Sequence, residues 1–197
     1  SQRDGKLYAV DAMQIPGSPA ARLVAHPVSI PSASARGLTV LRCHAHEGGG
    51  ALSVTNFGVA VLFGAKLAEC SAVDGGAIRA DDYSRVTLRA ALVEQCTARG
   101  SGGLFHLTDA SLTVHTSAVR YGLAEESGGV LAASTNPVML VSFVDSNVSH
   151  SQAAADGGCF VLYAGTRFEL RGTHVERCLC AARGGVIMAI DADVPVE

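Results

Sequence analysis

Tryptophan is absent and aromatic residues make up only 5% of this 197-residue chain, so a groove built on stacked rings is not expected. Charge is also scarce, at 17% of residues, with 15 basic against 18 acidic side chains and a net charge of -3. No cationic block is present, which argues against nucleic acid as a partner. No apolar run approaches the roughly 18 residues of a membrane-spanning helix, so none is expected. Sustained i, i+3, i+4 apolar spacing is missing, which excludes helical bundles and helical repeats. The C-x-x-C spacing of zinc and thioredoxin-like sites is missing too; the only close pair is Cys178-Leu179-Cys180. The 22 glycines follow no three-residue period, which excludes collagen. With 48% hydrophobic residues, the chain is too apolar to stay disordered.

What is present is a repeat. Gly-Gly pairs begin at Gly49, Gly75, Gly102, Gly128, Gly157 and Gly184, with spacings of 26, 27, 26, 29 and 27 residues. Each pair precedes a short apolar run, as in Ala77-Ile78 and Leu104-Phe105. Upstream stands a column read as Cys43, Cys70, Cys96, Gly122, Asn147 and Cys178. Three residues ahead of it stand Val40, Leu67, Val93, Val119, Val144 and Val175. Between the pairs the pattern alternates with period two, as in Arg85-Val86-Thr87-Leu88-Arg89, the mark of a half-buried strand. Two or three such strands per 27 residues make one coil of an all-β, single-stranded parallel β-helix, with about six coils stacked through parallel pairing. Residues 37–197 are assigned to this stack. Residues 1–36, which hold Pro16, Pro19, Pro27 and Pro31, are expected to form an irregular first coil and cap. No amphipathic capping helix follows the sixth pair, so the stack is expected to continue in a longer chain or to be covered by another subunit.

The phrase Glu-Cys-Ser-Ala-Val-Asp-Gly-Gly-Ala-Ile at 69–78 is similar to the GGA(I/L) signature of the polymorphic outer membrane proteins of chlamydiae. The FxxN element of that family survives only as Val144-Asp145-Ser146-Asn147. The resemblance implies a right-handed parallel β-helix of the pectate-lyase-like kind, an adhesin-like role and an extracellular or cell-surface setting.

Several groups are candidates for chemistry. Cys43, Cys70 and Cys96 are expected to be reduced, structural thiols stacked inside the coil, as are most of the six cysteines (Cys159, Cys178 and Cys180 being the others). The alternative is a bridge between neighbours one coil apart. His44 and His46 are weak candidates for a two-point metal site and otherwise read as a solvent-facing turn. Asp81-Asp82 and Asp191-Ala192-Asp193 read as solvated turns. After each Gly-Gly step one outward series reads Ser53, Arg79, His106, Ala132, Val161 and Met188, and the next includes Asp81. Arg79, Asp81 and His106 are therefore the weak catalytic candidates of a pectate-lyase-like alternative, although the paired carboxylates of such enzymes are missing. A second outward face carries Thr87, Arg89, Thr113, His115, Glu169 and Arg171, with Val138 and Leu140 as an apolar step. It is read as a contact surface for a protein subunit or a surface glycan. Asn147-Val148-Ser149 is a glycosylation sequon expected to be buried and unmodified unless the longer coil of 29 residues bulges there. No cofactor is expected. The reading is a non-catalytic scaffold or binding module.

Overall fold

A computed structural model of the chain describes residues 7–10, 25–28, 33–136 and 138–192. Among these residues there is no helix; the backbone winds through about six turns of a parallel β-solenoid. Leu7–Val10 and Ala25–Val28 form an antiparallel pair outside the stacked sheets. Parallel pairing begins with Ala33–Arg36. Most of the remaining 1–36 segment, including Pro16, Pro19 and Pro31, lies outside the described residues, as does Asp193.

Three sheets run the length of the stack. Sheet I holds Ala33–Arg36, Val59–Phe63, Arg85–Arg89, Ser111–His115, Met139–Val144 and Thr166–Arg171. Sheet II holds Thr39–Leu41, Lys66–Ala68, Leu92–Glu94, Ala118–Arg120, Asn147–Ala153 and His174–Cys180, with short second segments such as Ser71–Ala72 and Thr97–Ala98 past a bend. Sheet III holds Leu52–Val54, Ile78–Asp81, Phe105–Thr108, Leu131–Ser134, Phe160–Leu162 and Ile187–Ala189. The alternation seen in the sequence sets their phase. Val86 and Leu88 are buried while Thr87 between them is half-exposed. The interior is filled by aliphatic side chains and by Phe105, Phe143, Phe160 and Phe168, whose rings meet edge-on or tilted.

The corners explain the repeat. The first glycine of every pair has positive φ, between 59° and 69°, a conformation open to glycine without a Cβ penalty. The second glycine is constrained by its neighbours instead. A Cβ on Gly76 would lie 2.3 Å from the Gly103 carbonyl oxygen and 2.7 Å from the Thr97 backbone. Adjacent coils can stack there only because no side chain intervenes.

The bend in sheet II uses left-handed residues that are not glycine: Arg42, Glu69, Gln95, Tyr121, His150 and Arg177, all near φ +55°. Each such residue costs about 1–2 kcal/mol relative to ordinary backbone. Hydrogen bonding offsets that cost. The amides of Arg42, Glu69, Gln95 and Tyr121 donate to the next coil. The next side chain then donates back two residues: Cys70 to the Ala68 carbonyl and Cys96 to the Glu94 carbonyl at 3.3 Å, Ser151 to the Ser149 carbonyl likewise. Sulfur or oxygen also accepts an amide from the preceding coil, Cys70 N–H to Cys96 Sγ at 3.4 Å and Gly122 N–H to Ser151 Oγ at 3.1 Å. Thiol and hydroxyl thus play the same part after the bends at Glu69, Gln95 and His150, while Gly122 follows the bend at Tyr121 with no side chain.

Pairing corrects the expected columns in the 29-residue coil. Ser151 lies opposite Cys178, and Val148 lies between Val119 and Val175. Asn147 and Val144 therefore leave the inward columns, and Asn147 is exposed, not buried. The reason is where the extra residues fall. Ser134 pairs with Thr108 but Val141 with Leu112, so all three surplus residues lie in the corner between these strands, ahead of the bend. The same shift replaces Val138 and Leu140 in the outward series. Ser142 and Val144 stand beside Thr113 and His115, Leu140 stands beside Arg167, and Val138 sits exposed in the enlarged corner.

Cys43, Cys70, Cys96 and Cys180 lie outside any disulfide, as expected of most of the six, but two cysteines differ. Cys159 and Cys178 form a disulfide with Cα atoms 5.2 Å apart. It joins the position after the fifth Gly-Gly pair to the bend column of the next coil, not two neighbours in one column. The glycine pair is the physical reason: Gly158 lets its own backbone approach Leu179, which brings the flanking positions 159 and 178 together.

Candidate functional site

Two outer faces carry the candidate side chains, and they are built differently. On sheet III the expected outward row is in register, Ser53–Arg79–His106–Ala132–Val161–Met188. Pointing outward does not expose all of it: Ser53 is exposed and Arg79, His106 and Met188 are half-buried, but Ala132 is 3% and Val161 0% exposed. The loops before each glycine pair fold over this row. A Cβ on Gly48 would meet the Arg79 side chain at 2.2 Å, and one on Gly157 would meet Val161 at 2.3 Å.

Arg79, Asp81 and His106 are brought together under this cover. Arg79 Nε donates to Asp81 Oδ2 at 2.7 Å, and His106 pairs with Arg79 across the coil step. Asp81 Oδ1 and His106 Nδ1 are buried without a hydrogen-bond partner among the described residues. Burial pushes the His106 pKa below its ordinary value; the charge of Asp74 opposes this and that of Arg79 adds to it. The imidazole is thus held neutral. Asp74 is the member of this neighbourhood that sequence reading missed, and its Oδ1 accepts the Ser101 amide at 3.0 Å. Its signal is Asp-Gly-Gly, because Asp156 before the fifth pair accepts the Arg183 amide in the same way at 3.0 Å. Both carboxylates near His106 are already engaged, Asp81 by the Arg79 guanidinium and Asp74 by the Ser101 amide, unlike the free acid–base pair of glycoside chemistry.

On sheet I the arginines stand exposed and most other outward residues are half-exposed, while Ser142 is buried. One row runs Val61–Thr87–Thr113–Ser142–Glu169 and the next Phe63–Arg89–His115–Val144–Arg171. Thr87 and Arg89 adjoin Thr113 and His115, while Glu169 and Arg171 stand two coils further on. Glu169 is bridged to Arg167 at 3.2 Å and to Arg171 at 3.6 Å. Arg36 sits over the Phe63 ring, 5.3 Å from its centre.

Elsewhere, His44 and His46 have ring centres 5.4 Å apart, and His44 Nδ1 lies 2.9 Å from Ser71 Oγ. No cluster of three or more His, Cys, Asp or Glu side chains able to hold a metal ion occurs among the described residues. The contact between the two thiols lowers the Cys70 pKa and raises that of Cys96. Glu94, also missed by the sequence reading, is buried on the outer side of sheet II between Lys66 at 3.3 Å and Arg120 at 2.8 Å. Burial works to raise its pKa, but hydrogen bonds and charge from Arg120 and Lys66 outweigh it and hold the carboxylate ionised.

No protein-family model, curated protein or solved structure matches this chain. The architecture rests on the repeat and the strand pairing themselves. No helix among the described residues is long and apolar enough to cross a membrane.

Proposed function

We propose that this chain is a non-catalytic β-solenoid binding module, adhesin-like at a surface or built into a larger assembly, with the outer face of sheet I as its contact surface. One observation carries the reading: that face is in register over six strands and exposes Arg36, Arg85, Arg89, Arg167 and Arg171, whereas Ala132 and Val161 in the outward row of sheet III are buried beneath its own loops. A rigid ladder presenting Thr87, Arg89, Thr113, His115, Glu169 and Arg171 at fixed spacing suits recognition of an extended partner. The GGA(I/L)-type phrase at 69–78 supports the adhesin-like form of this proposal, and the Cys159–Cys178 bridge supports an oxidising compartment. Residues 1–36 are proposed to cap the first coil. The carbohydrate-active alternative at Arg79, Asp81 and His106 draws no support from their geometry.

The test is a protein and glycan binding array. Thr113→Glu alters the open face of sheet I, and Leu123→Glu alters the outer side of sheet II as a control. Capture lost in Thr113→Glu and kept in Leu123→Glu is the expected result. The opposite pattern overturns the assignment. Incubation with acidic polysaccharides, with and without calcium, is expected to yield no new reducing or unsaturated ends.

A further inference from the structure

We propose that the outer face of sheet I binds a linear polyanionic glycan, its arginines meeting carboxylate or sulfate groups along the stacking axis. This deepens the binding-module reading and rests on it. The starting point is a charge asymmetry. Arg36, Arg85, Arg89, Arg167 and Arg171 all stand exposed on this face, with Glu169 as the single carboxylate on its strands. Five positive charges and one negative leave +4 on a chain whose net charge is -3, so every other residue together carries -7. An acidic protein has gathered a third of its 15 basic residues on one flat sheet.

The centre of that sheet is where the charge is least committed. Glu169 engages Arg167 and Arg171 at one end, and Arg36 lies over Phe63 at the other. Arg85 and Arg89, on the same strand, have no ion pair among the described residues. Asp82, Asp109 and Asp145 stand at the corners bordering the face, so an anion is favoured along the middle of the sheet and disfavoured at its rims.

Spacing and chemistry select the kind of anion. Six strands at about 4.8 Å span about 24 Å, which puts one net positive charge on about every 6 Å. Duplex DNA presents one negative charge per ~1.7 Å, far denser than this ladder. The face also lacks the aromatic platforms on which nucleic-acid bases stack. Its outward rings are Phe63, which lies beneath Arg36, and the single His115 imidazole. Between the arginine rows stand the half-exposed hydroxyls of Thr87 and Thr113, suited to the hydroxyls of sugars. A glycan with a charged group on each sugar or disaccharide matches both features; a neutral glycan leaves the arginines without partners.

The experiment uses the purified chain against immobilised heparin for sulfate, polygalacturonate for carboxylate, dextran as the neutral control and duplex DNA. Binding to at least one anionic glycan, weakening as salt is raised, and no retention by dextran are expected. Arg85→Ala with Arg89→Ala is expected to weaken that binding about tenfold or more, since exposed cationic contacts carry it. The Lys double variant at these positions is expected to retain most of it. Arg42→Ala with Arg177→Ala removes equal charge from the sheet II bend and is expected to change binding less than about twofold. Melting curves confirm that each variant is folded. An equal loss in both Ala double variants, or tighter binding to DNA than to either glycan, overturns the proposal. If neither anionic glycan binds while Thr113→Glu still abolishes capture on the array, the polyanion inference fails and the binding-module reading stands. If Thr113→Glu leaves capture intact, the reading itself fails.

Discussion

Sheets I and III are wound from the same coils, and both place every second side chain outside. Val61 on sheet I and Val161 on sheet III occupy such positions, yet Val61 is half-exposed and Val161 is fully buried. The difference arises from the corners that border each sheet. Sheet I ends in narrow corners such as Gly64 and Ala90, which leave its outer face open. The chain enters sheet III through the longer Gly-Gly loop, which pairs coil to coil through its own amides, as in Gly75 N–H to the Ser101 carbonyl, and lies across the outward row.

The largest expected effect tests that loop. Gly76→Ala drives a Cβ into the backbone of the next coil and is expected to cost more than about 4 kcal/mol, or to prevent folding. Gly185→Ala, the same motif position in the last coil, meets nothing within 4 Å and is expected to be neutral or slightly stabilising. Chemical denaturation of both variants checks the contrast. Equal costs would mean that the glycine pairs are not stacked along one seam.

Next in size is the interior. Leu88→Ala is expected to cost about 2–5 kcal/mol, and its neighbour Thr87→Ala on the open face well under about 1 kcal/mol. Comparable midpoint shifts in denaturant would refute the phase of sheet I.

The two valines sharpen the comparison further. Val161→Thr buries a hydroxyl beneath the loops and is expected to cost about 1–3 kcal/mol, whereas Val61→Thr is expected to stay within about 0.5 kcal/mol. Thermal melts of the pair decide whether sheet III is roofed in solution.

The smallest effect is a pH dependence. Burial under the same roof lowers the His106 pKa, so between the folded value and about 6.5 the unfolded chain holds more protons than the folded one. This contribution is therefore complete above about pH 6.5 and shrinks as the pH falls through that window. His106→Gln is expected to flatten the slope of stability against pH between about 5 and 7. An unchanged slope would place the imidazole in water.

Much of the fold was legible because the coil geometry writes itself into the sequence with a fixed period. Six glycine pairs marked one seam, and the alternation around Leu88, Leu112 and Phe168 fixed which side chains fill the interior. The register failed where the period did. With three extra residues between Ser134 and Met139, counting alone does not say on which side of the bend they fall. A plausible FxxN-like phrase pulled Asn147 into a column that belongs to Ser151. The bend column looked like a thiol preference, and only the structure shows the Ser151 hydroxyl making the same two bonds as the Cys96 thiol.

By itself the sequence determined that this chain is a solenoid of about six coils, because period-two alternation inside a 27-residue repeat leaves few other ways to bury so much apolar surface. Only the tertiary structure decided which outward rows meet solvent, which cysteines are joined, and that five arginines distant in the chain share one face. Those are properties of side chains brought together between coils, and one strand's pattern holds no record of the loop that folds over it or of the strand stacked beside it.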